Sequence, residues 1–594
     1  MIRLSDYVID FLVKKGISDI FLVSGGGIMY LTDSVGRKMK YISNYHEQAA
    51  ATAAESYARF KNDISACLVT TGPGSTNAIT GVAGAWVDSV PILVLSGQVK
   101  REAIADYSKL RQQGPQEINT LDLVKPITKY AVTVMDPANI KYVLEKAFYE
   151  AKNDRQGPVW INIPLDVQGS IIDEKKLVGF ELPHILEDRK YLAEEVEKVI
   201  YMLKESERPV IIGGFGIRLS GGYDVLQELI LKLKIPIIVD SNGLDLTHED
   251  NDLSVGRYGP LGQRRANFAL QNADLVLAIG ASLNIASTGF EFDTFAPKAK
   301  KIMVNVDKNE LTKSTIKINL PIESDAKKFM EELLLRTKKI EFTFSKKWYQ
   351  AIKQWKRQYK NIIPEFYTDT KHVNSCVFFD KLSKIIDSKI PVLTGVGQDV
   401  VSFSQAFKVK KNQRAYNNKN FGQMGWCLPG AIGACVANGR RETILVTGDG
   451  SIQFNLHELA TIRYYNLPIK IFVFNNRGYK SIRDSQNNFF EGRLVGADIT
   501  SGVICPNLKS LAKAYNLHYD LIKNNRTVIR KVRKALILDG PTLFEVNINP
   551  EQPRIPRISN VKKSDGTMES RPLEDMLPFL PREELYKNMH MFDK

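Results

Sequence analysis

The chain has 594 residues, 44% of them hydrophobic and 25% charged, which is enough for several packed domains and excludes an intrinsically disordered chain. The 81 Lys and Arg residues exceed the 66 Asp and Glu residues by a net charge of +15, but no zinc-finger or RNA-binding motif accompanies them, so we expect a basic surface and no nucleic-acid partner. The five cysteines are scattered without a CxxC pair and no run of about 18 apolar residues occurs, so we expect a cytoplasmic protein with no disulfide scaffold, zinc site or membrane-spanning helix.

Short apolar runs alternate with helical stretches over residues 1 to 175. The N-terminal segment spaces Leu4, Val8 and Leu12 as the buried face of a helix and lacks the apolar block of a signal peptide. The runs "DIFLVSGGG", "SACLVTTGPGS" and "VPILVLSG" are typical of strands, and "EQAAATAAESYARF" and "TNAITGVAGAWVD" are typical of the helices between them. Because strands joined by helical crossovers form parallel sheets, residues 1–175 are predicted to be an α/β domain.

Two further units of the same kind follow. Residues 190–340 contain the strand-like runs "ERPVIIGG", "ADLVLAIGAS" and "KKIMVNVD", and the glycines of 213–222 lack the G-x-G-x-x-G spacing of a dinucleotide-binding turn. A lysine-rich stretch then alternates charged and apolar residues, as a solvated helix or linker does. Residues 374–550 form the third unit, and the Pro-rich residues 551–594 form an irregular arm of the kind that closes over a site. The predicted fold class is therefore α/β, with three doubly wound parallel-sheet domains.

The third unit contains two polar motifs that follow strand-like runs. "ETILVTGDG" ends in Gly448, Asp449 and Gly450, and "IKIFVFNNRG" ends with Asn476 and Gly478. Ligands of a parallel sheet bind beyond the carboxyl ends of its strands, so Asp449 and Asn476 are predicted to face one crevice. Their oxygens and the Gly478 carbonyl form a ligand set that Mg²⁺ accepts while it holds a diphosphate. Alone, either motif is typical of an ordinary turn that closes a buried strand.

Together, the two motifs at this spacing resemble the thiamine diphosphate signature of the superfamily that contains thiamine-dependent decarboxylases and acetolactate synthases. The resemblance covers nearly the whole chain, because that family has pyrimidine-binding, middle and diphosphate-binding domains in the order of the three units. It implies thiamine diphosphate and Mg²⁺ as cofactors, with Asp449, Asn476 and Gly478 as metal ligands. It also implies that Glu47, in "NYHEQAAATAAESYAR", is the catalytic carboxylate beside the pyrimidine; from the residues alone, a capping box of Asn44 and Glu47 is the alternative.

Other stretches match cofactor-contacting motifs of the same family. Met424, in "FGQMGWCLPGAIGA", matches a bulky apolar residue that supports the bent cofactor, although a single Met is more often core filler. "TTGPGSTN" is similar to the family turn that faces the cofactor, and residues 255–283 resemble the flavin-holding part of acetolactate synthases, which makes FAD a further candidate. The expected cofactor-binding residues are Gly72, Pro73, Gly74, Asn77, Met424, Gly448, Gly450 and Asn475.

The resemblance implies a carboligase that decarboxylates a 2-oxo acid, with pyruvate the expected one, and transfers the two-carbon unit to a carbonyl acceptor. Three alternatives stay open: a genuine acetolactate synthase, a simple 2-oxo acid decarboxylase, and a non-catalytic paralogue. The lack of a His-His dipeptide disfavours the decarboxylase, and the presence of Glu47, Asp449 and Asn476 disfavours the paralogue. Because relatives assemble this site from two subunits, a homodimer or homotetramer is expected.

The acceptor pocket differs from that of acetolactate synthases in this comparison. Those enzymes place an Arg and a Lys where an alignment by eye puts Ala286 and Leu165, whereas Gln116 is retained. A 2-oxo acid acceptor would need a cation for its carboxylate. Gln116 and Leu165 are therefore the expected substrate-contacting residues, and the expected acceptor is a nucleotide-linked keto-sugar whose phosphates would meet Arg483 and Arg493.

Overall fold

Three parallel six-stranded sheets, each flanked by helices, organise the chain as the sequence predicts. The computed structural model describes residues 1–183, 189–562, 565 and 567–593. The central strands of each sheet are buried on both faces, which explains why the sequence shows them as nearly continuous apolar runs. Among the described helices, none has both the length and the apolar character that crossing a bilayer requires.

The first unit runs from the N-terminus to a short strand that pairs with the first one. Its strands are β1 (Ile2–Arg3), β2 (Asp19–Leu22), β3 (Lys40–Ser43), β4 (Ser65–Val69), β5 (Ile92–Gln98), β6 (Tyr130–Thr133), β7 (Val159–Pro164) and β8 (Ile171–Ile172). Its helices are α1 (Leu4–Lys14), α2 (Met29–Lys38), α3 (Glu47–Lys61), α4 (Pro73–Val87), α5 (Thr120–Val124), α6 (Ile140–Lys152) and α7 (Leu165–Gln168). The sheet has the order β3-β2-β4-β5-β7-β6.

The second unit begins with a long helix. Its helices are α8 (Arg189–Glu205), α9 (Gly216–Leu219), α10 (Tyr223–Leu233), α11 (Arg264–Asn272), α12 (Ile285–Thr288), α13 (Lys308–Thr312), α14 (Ala326–Thr337) and α15 (Lys346–Gln358). Its strands are β9 (Pro209–Gly213), β10 (Ile237–Val239), β11 (Ser254–Arg257), β12 (Leu275–Ile279), β13 (Lys300–Asn305) and β14 (Leu320–Glu323). The sheet has the order β11-β10-β9-β12-β13-β14.

The third unit carries the two polar motifs. Its strands are β15 (Val392–Thr394), β16 (Ala415–Asn417), β17 (Thr443–Gly448), β18 (Ile469–Asn475), β19 (His518–Ile522) and β20 (Thr542–Asn547). Its helices are α16 (Ser375–Ile385), α17 (Gln398–Ala406), α18 (Cys427–Ala437), α19 (Glu458–Tyr464), α20 (Lys480–Phe489), α21 (Leu508–Ala514) and α22 (Val528–Ile537). The sheet has the order β16-β15-β17-β18-β20-β19.

The C-terminal arm follows β20 and packs on the second unit. It contains β21 (Arg557–Ile558), β22 (Asn560–Lys562), β23 (Met568–Ser570), β24 (Met576–Leu577) and α23 (Arg582–Met589). Leu573 and Met576 are buried, and Asn267 on α11 donates a hydrogen bond of 2.8 Å to the Leu573 carbonyl. Near its start, Arg554 donates to Ser481 of α20 at 3.0 Å. The arm therefore joins the second-unit core and also touches the helix that follows the Asn-Asn motif.

The lysine-rich stretch is a helix with one solvated face, the first of the two expected alternatives, and not a linker. It contains the end of α14 and all of α15, and Trp348 and Trp355 of α15 are fully buried against the second unit. The Trp355 indole donates a hydrogen bond of 2.7 Å to Asn588 of the arm. The lysines occupy the opposite, solvated face of this helix, as an amphipathic pattern requires.

The first and third units pack through α3 and α18. Small side chains allow a close approach, since a Cβ at Gly433 would overlap the backbone of Ala53. Close packing of two helices through Ala and Gly fixes their register, because any larger side chain would separate them.

Arg59 lies fully buried where all three units meet. It pairs with Asp88 and with Glu55 of its own unit. Asp88 in turn accepts hydrogen bonds from Asn242 of the second unit at 3.0 Å and from Asn420 of the third at 2.9 Å. A buried charge that is paired in this way ties the units together, and removing one partner would leave an uncompensated charge.

Candidate active site

The two polar motifs lie side by side at the carboxyl edge of the third sheet. Strands β17 and β18 are parallel neighbours with Gly448 opposite Phe474. The Asp449 amide continues this ladder by donating to the Phe474 carbonyl at 3.1 Å. The two residues that follow the strands, Asp449 and Asn476, therefore occupy one edge, as the sequence predicts.

Asp449 and Asn476 present buried oxygens that fit a hard cation. The Asp449 carboxylate accepts hydrogen bonds from the Gly450 amide at 2.9 Å and the Gly478 amide at 3.1 Å. No basic side chain among the described residues pairs with it, and burial raises the pKa of Asp449 to about 6. The Asn476 Oδ1 is buried and accepts no hydrogen bond from the described residues. A buried acid without a counter-ion beside an unpartnered amide oxygen is what Mg²⁺ would satisfy.

These groups face a cavity of about 330 Å³. A Cβ at Gly448 would meet no atom within 4 Å, so this glycine leaves the cavity open beside the acid. At Gly450 a Cβ would overlap the Tyr479 ring, and Gly478 has a φ of +125° that a residue with a side chain rarely adopts. The predicted residues that line this cavity are Met424, Gly448, Asp449, Gly450, Asn476 and Gly478.

A second acid, Asp399, faces the same cavity and was missed by the sequence analysis. It is the second residue of α17, and its Oδ2 accepts a hydrogen bond of 2.9 Å from the Gly395 amide. Its Oδ1 is buried without a partner among the described residues. Burial, with the charge of Asp449 added, raises the pKa of Asp399 to about 7. The sequence signal was present, because "TGVGQD" places an acid just beyond the apolar strand β15, a direct neighbour of β17.

Asn475, predicted to bind the cofactor, does not line this cavity. It is the last residue of β18, and its side chain donates a hydrogen bond of 2.7 Å to Glu545. Side chains alternate along a strand, so Asn475 and Asn476 point to opposite faces of the sheet.

Arg483 is likewise unavailable for substrate phosphates. Its guanidinium is buried and donates to the Asn476 carbonyl at 2.8 Å and the Arg477 carbonyl at 2.9 Å. It therefore shapes the backbone that carries Asn476 and Gly478, the expected metal ligands. Arg493 remains exposed in the segment after α20.

Glu47 lies at the carboxyl edge of the first sheet, beside the "TTGPGSTN" turn. It begins α3, is 8% exposed, and accepts a hydrogen bond of 2.9 Å from Asn77 at its Oε2. A Cβ at Gly74 would lie 3.2 Å from Glu47 Oε1, so this glycine keeps the second oxygen uncrowded. The helix is capped by His46, which accepts from the Gln48 amide. The alternative of an Asn44 capping box is therefore wrong.

The backbone of Gln116 lies against Gly72 of the "TTGPGSTN" turn. The Gln116 carbonyl occupies the position of a Cβ at Gly72, and Gly72 has a φ of +63°. The loop is held by Glu117, which accepts from the Gln113 amide at 2.8 Å and the Gly114 amide at 2.9 Å. The Gln116 side chain is exposed. Pro73, the next residue of the turn after Gly72, begins α4.

Leu165 begins α7 directly after β7 and is partly exposed. Arg101 lies next to this position, but its side chain donates to Asp166, the residue after Leu165, at 2.6 Å. Ala286 lies on α12 and is exposed. Neither position supplies a positive charge.

Glu47 and Asp449 belong to separate parts of this single chain. The cavity beside Asp449 is lined by residues 396–482 of the third unit, and Glu47 is not among them. The structure thus brings together the metal-type ligands, and separately brings together Glu47, Asn77, Gly72, Gly74 and Gln116.

Another cavity, of about 110 Å³, lies at the carboxyl edge of the second sheet. Its lining includes Gly216, Gly280, Asp240 and Asp325, with Asp88 from the first unit. Among the described lining residues Arg155 carries a positive charge, and it is paired with Asp307 at 2.9 Å. Acids at strand ends suit the hydroxyl groups of a nucleotide ribose, whereas this lining offers its phosphates little positive charge.

Known families account for each of the three units. The N-terminal TPP-binding domain of thiamine pyrophosphate enzymes matches residues 2–123, their central domain matches 196–333, and their C-terminal TPP-binding domain matches 395–546. The chain is 33% identical to the acetolactate synthase large subunit of Cyanidium caldarium, over 94% of this chain and 95% of that one. It is 32% identical to the probable acetolactate synthase large subunit of Methanocaldococcus jannaschii over 94% of each chain. It is 30% identical to the acetolactate synthase large subunit of Lactococcus lactis over 94% of this chain and 95% of that one.

The fold, the site and these matches together place the protein among the thiamine diphosphate-dependent enzymes. Within that class, the chain belongs to the family of acetolactate synthase large subunits and their relatives.

Proposed function

We propose that the protein is a thiamine diphosphate- and Mg²⁺-dependent carboligase that takes a two-carbon unit from a 2-oxo acid, with pyruvate as the donor, and adds it to a carbonyl acceptor. The observation that carries the proposal is the buried Asp449 carboxylate without a counter-ion beside the unpartnered Asn476 Oδ1, in a cavity that Gly448 leaves open. Thiamine diphosphate, when bound, supplies a thiazolium ring that acts as the electron sink for decarboxylation.

The residues of the chain bind, orient and exchange a proton. Asp449, Asn476 and the Gly478 carbonyl would hold Mg²⁺, and the amino end of α17 faces the same cavity, which favours the negative diphosphate. Met424 would support the cofactor from the apolar side. Glu47, oriented through its Oε2 by Asn77, would hold a proton at Oε1 for a nitrogen of the cofactor pyrimidine.

A second copy of the chain completes the site in this proposal. Glu47 and Asp449 do not share a cavity within one chain. Ile482 of the cavity lining is exposed, and so are Phe489 and Phe490 at the end of the same helix, α20. A homodimer, or a homotetramer built from it, would cover these residues and bring Glu47 of one chain to Asp449 of the other. Sedimentation of a monomer that is active with both cofactors would exclude this arrangement.

FAD is proposed for the second-unit cavity, because this cavity lies at the carboxyl edge of a parallel sheet between glycine turns and offers acids for ribose hydroxyls. A flavin absorption band in the purified protein would support it, and reconstitution without any flavin uptake would exclude it. The described cysteines are all free, which fits a cytoplasmic enzyme.

The finer proposal concerns the acceptor, for which we favour a nucleotide-linked keto-sugar over a second 2-oxo acid. Leu165 and Ala286 provide no cation for an acceptor carboxylate, and Arg101 is committed to Asp166. Exposed Arg493 is the guanidinium proposed to meet the acceptor phosphates. Gln116 and Leu165 are the proposed substrate-contacting residues. The acetolactate synthases among the relatives support the second candidate, in which pyruvate is also the acceptor.

One experiment tests these readings. Purified protein is incubated with thiamine diphosphate, Mg²⁺ and pyruvate, with and without a keto-sugar nucleotide, and the products are identified by mass spectrometry. Slow acetolactate formation with fast consumption of the keto-sugar supports the proposal. Acetolactate from pyruvate alone at about 10 per second or faster, an ordinary turnover for an enzyme on its own substrate, would identify an acetolactate synthase. Acetaldehyde as the sole product would identify a decarboxylase, and no turnover at all would point to a non-catalytic paralogue.

A further inference from the structure

Glu458 is a buried carboxylate of the third unit that contacts the first unit. It is the first residue of α19, and its side chain has no exposed surface. Its Oε2 accepts a hydrogen bond of 2.8 Å from the Asn44 side chain, and its Oε1 accepts one of 2.8 Å from the Tyr45 amide. These partners are more than 400 residues away in sequence, and nothing in the reaction described above uses Glu458.

The groups held by Glu458 lie just before Glu47 and are separated from it by His46 alone. Asn44 and Tyr45 connect the end of β3 to His46, the capping residue of α3, and Glu47 is the first residue of that helix. A buried carboxylate that accepts two hydrogen bonds from consecutive residues fixes their backbone more firmly than solvent-exposed contacts do. Glu458 thus fixes the backbone from which Glu47 projects, while Asn77 orients its carboxylate.

We propose that Glu458 is a positioning residue that sets Glu47 against the cofactor pyrimidine. This inference rests on the proposed function, because it assigns Glu458 to the service of Glu47. Glu458 also follows Asp449 by nine residues, so one short segment carries a metal-type ligand at its start and the support for Glu47 at its end.

The partner Asn44 allows a test that separates positioning from general stability. The Asn44 Oδ1 is buried and has no hydrogen-bond partner among the described residues. In Glu458→Gln, the Asn44 amide can turn so that its Oδ1 accepts from the new Nε2, and the Tyr45 contact is retained. Asn44→Asp would instead place two carboxylates together, and combining it with Glu458→Gln restores a donor opposite an acceptor.

The measurement is the rate of hydrogen–deuterium exchange at the thiazolium C2 of bound thiamine diphosphate, followed by NMR after acid quenching of the full-length protein with Mg²⁺. Glu458→Ala and Asn44→Asp are expected to slow exchange at least tenfold. Glu458→Gln and the double variant Asn44→Asp/Glu458→Gln are expected to stay within threefold of the unmodified protein. Cofactor affinity, measured by titration calorimetry, is expected to change less than threefold in all four variants.

Tyr465→Phe is the matched control at the same interface. The Tyr465 hydroxyl accepts a hydrogen bond of 2.9 Å from the Ser43 amide, so its loss weakens the contact without touching Asn44 or Tyr45. Exchange slowed as much by Tyr465→Phe as by Glu458→Ala would overturn the inference. If Glu458→Ala does not fold, the Asn44→Asp variant and its double variant decide, and a double variant as slow as Asn44→Asp alone would refute positioning.

Glu47→Gln separates the inference from the function on which it rests. Slow exchange in Glu47→Gln with unchanged exchange in both Glu458→Ala and Asn44→Asp would refute the role of Glu458 alone. Unchanged exchange in Glu47→Gln would remove the proposed role of Glu47 and the inference with it.

Discussion

Replacing Asp399 with Asn removes one of the two buried carboxyl groups that face the third-unit cavity and keeps the shape of the side chain. Burial, with the charge of Asp449 added, raises the pKa of Asp399 from 3.8 to about 7. Because the folded-state pKa is the higher one, ionisation of this acid destabilises the fold increasingly as the pH rises above 3.8, and fully above about 7. A pKa difference of this size corresponds to roughly 4 kcal/mol of unfolding free energy at high pH.

Cofactor-free Asp399→Asn is therefore expected to be more stable than the unmodified protein at pH 8, by up to about 4 kcal/mol, with a gain that shrinks towards pH 5. Calorimetric and urea-induced unfolding at pH 5, 6.5 and 8 measure this difference. The control is Asp520→Asn. Partial burial acts to raise the pKa of Asp520, but hydrogen bonds from Lys531 and Lys534 outweigh it and lower the pKa to about 2. The stabilisation that the ionised Asp520 gives the fold is complete above pH 3.8 and is lost only as the pH falls through about 2. Asp520→Asn should therefore lose the same stability at pH 5 and pH 8. An Asp399→Asn variant no more stable than the unmodified protein at pH 8, or equally stabilised at pH 5, would refute this description of the cavity.

Three further outcomes follow from the site and the arm. Glu47→Gln should bind thiamine diphosphate normally by calorimetry but lose at least about 100-fold in turnover, because the amide cannot exchange the proton; turnover within twofold of the unmodified enzyme would contradict its role. Asp449→Ala should abolish Mg²⁺-dependent cofactor binding in the same titration, since the diphosphate would meet no anionic metal ligand, and unchanged affinity would exclude Asp449 from the metal site. Ending the chain at Pro581 should lower the unfolding temperature, because it removes the Asn588 partner of the buried Trp355; an unchanged unfolding temperature would show that the arm contributes nothing to the core.

The fold and half of the candidate site could be predicted because their signals are local. Buried parallel strands appear as continuous apolar runs, and residues that directly follow two such runs must lie at one edge of the sheet, as Asp449 and Asn476 do. The face of the sheet on which each side chain lies was harder to predict, because Asn475 is adjacent to Asn476 in sequence yet points to the other face. Asp399 escaped notice because it lies at the start of a helix, α17, without a second motif to pair with it.

Contacts between distant segments could not be predicted from one sequence. Glu458 holds Asn44 from 414 residues away, and no local pattern records that pairing. Arg483 illustrates the opposite error, because an Arg beside a predicted phosphate site suggested a ligand contact, whereas its donors are used by backbone carbonyls. The two tryptophans of α15 were hidden by the lysines around them, because the charged residues dominate the composition of this helix while its buried face decides the packing.

The junction at Arg59 has a consequence for chimaeric enzymes. Asp88 of the first unit holds Arg59, Asn242 of the second unit and Asn420 of the third at once. A middle unit transplanted from a relative that lacks the amide of Asn242 would remove one of the two hydrogen bonds that Asp88 Oδ1 accepts. A hydrogen bond to a charged group contributes roughly 1.5–3 kcal/mol, so about that much stability would be lost before any catalytic effect is seen. Chimaeras of this chain with its relatives should therefore keep their stability when Arg59, Asp88, Asn242 and Asn420 all come from the same parent.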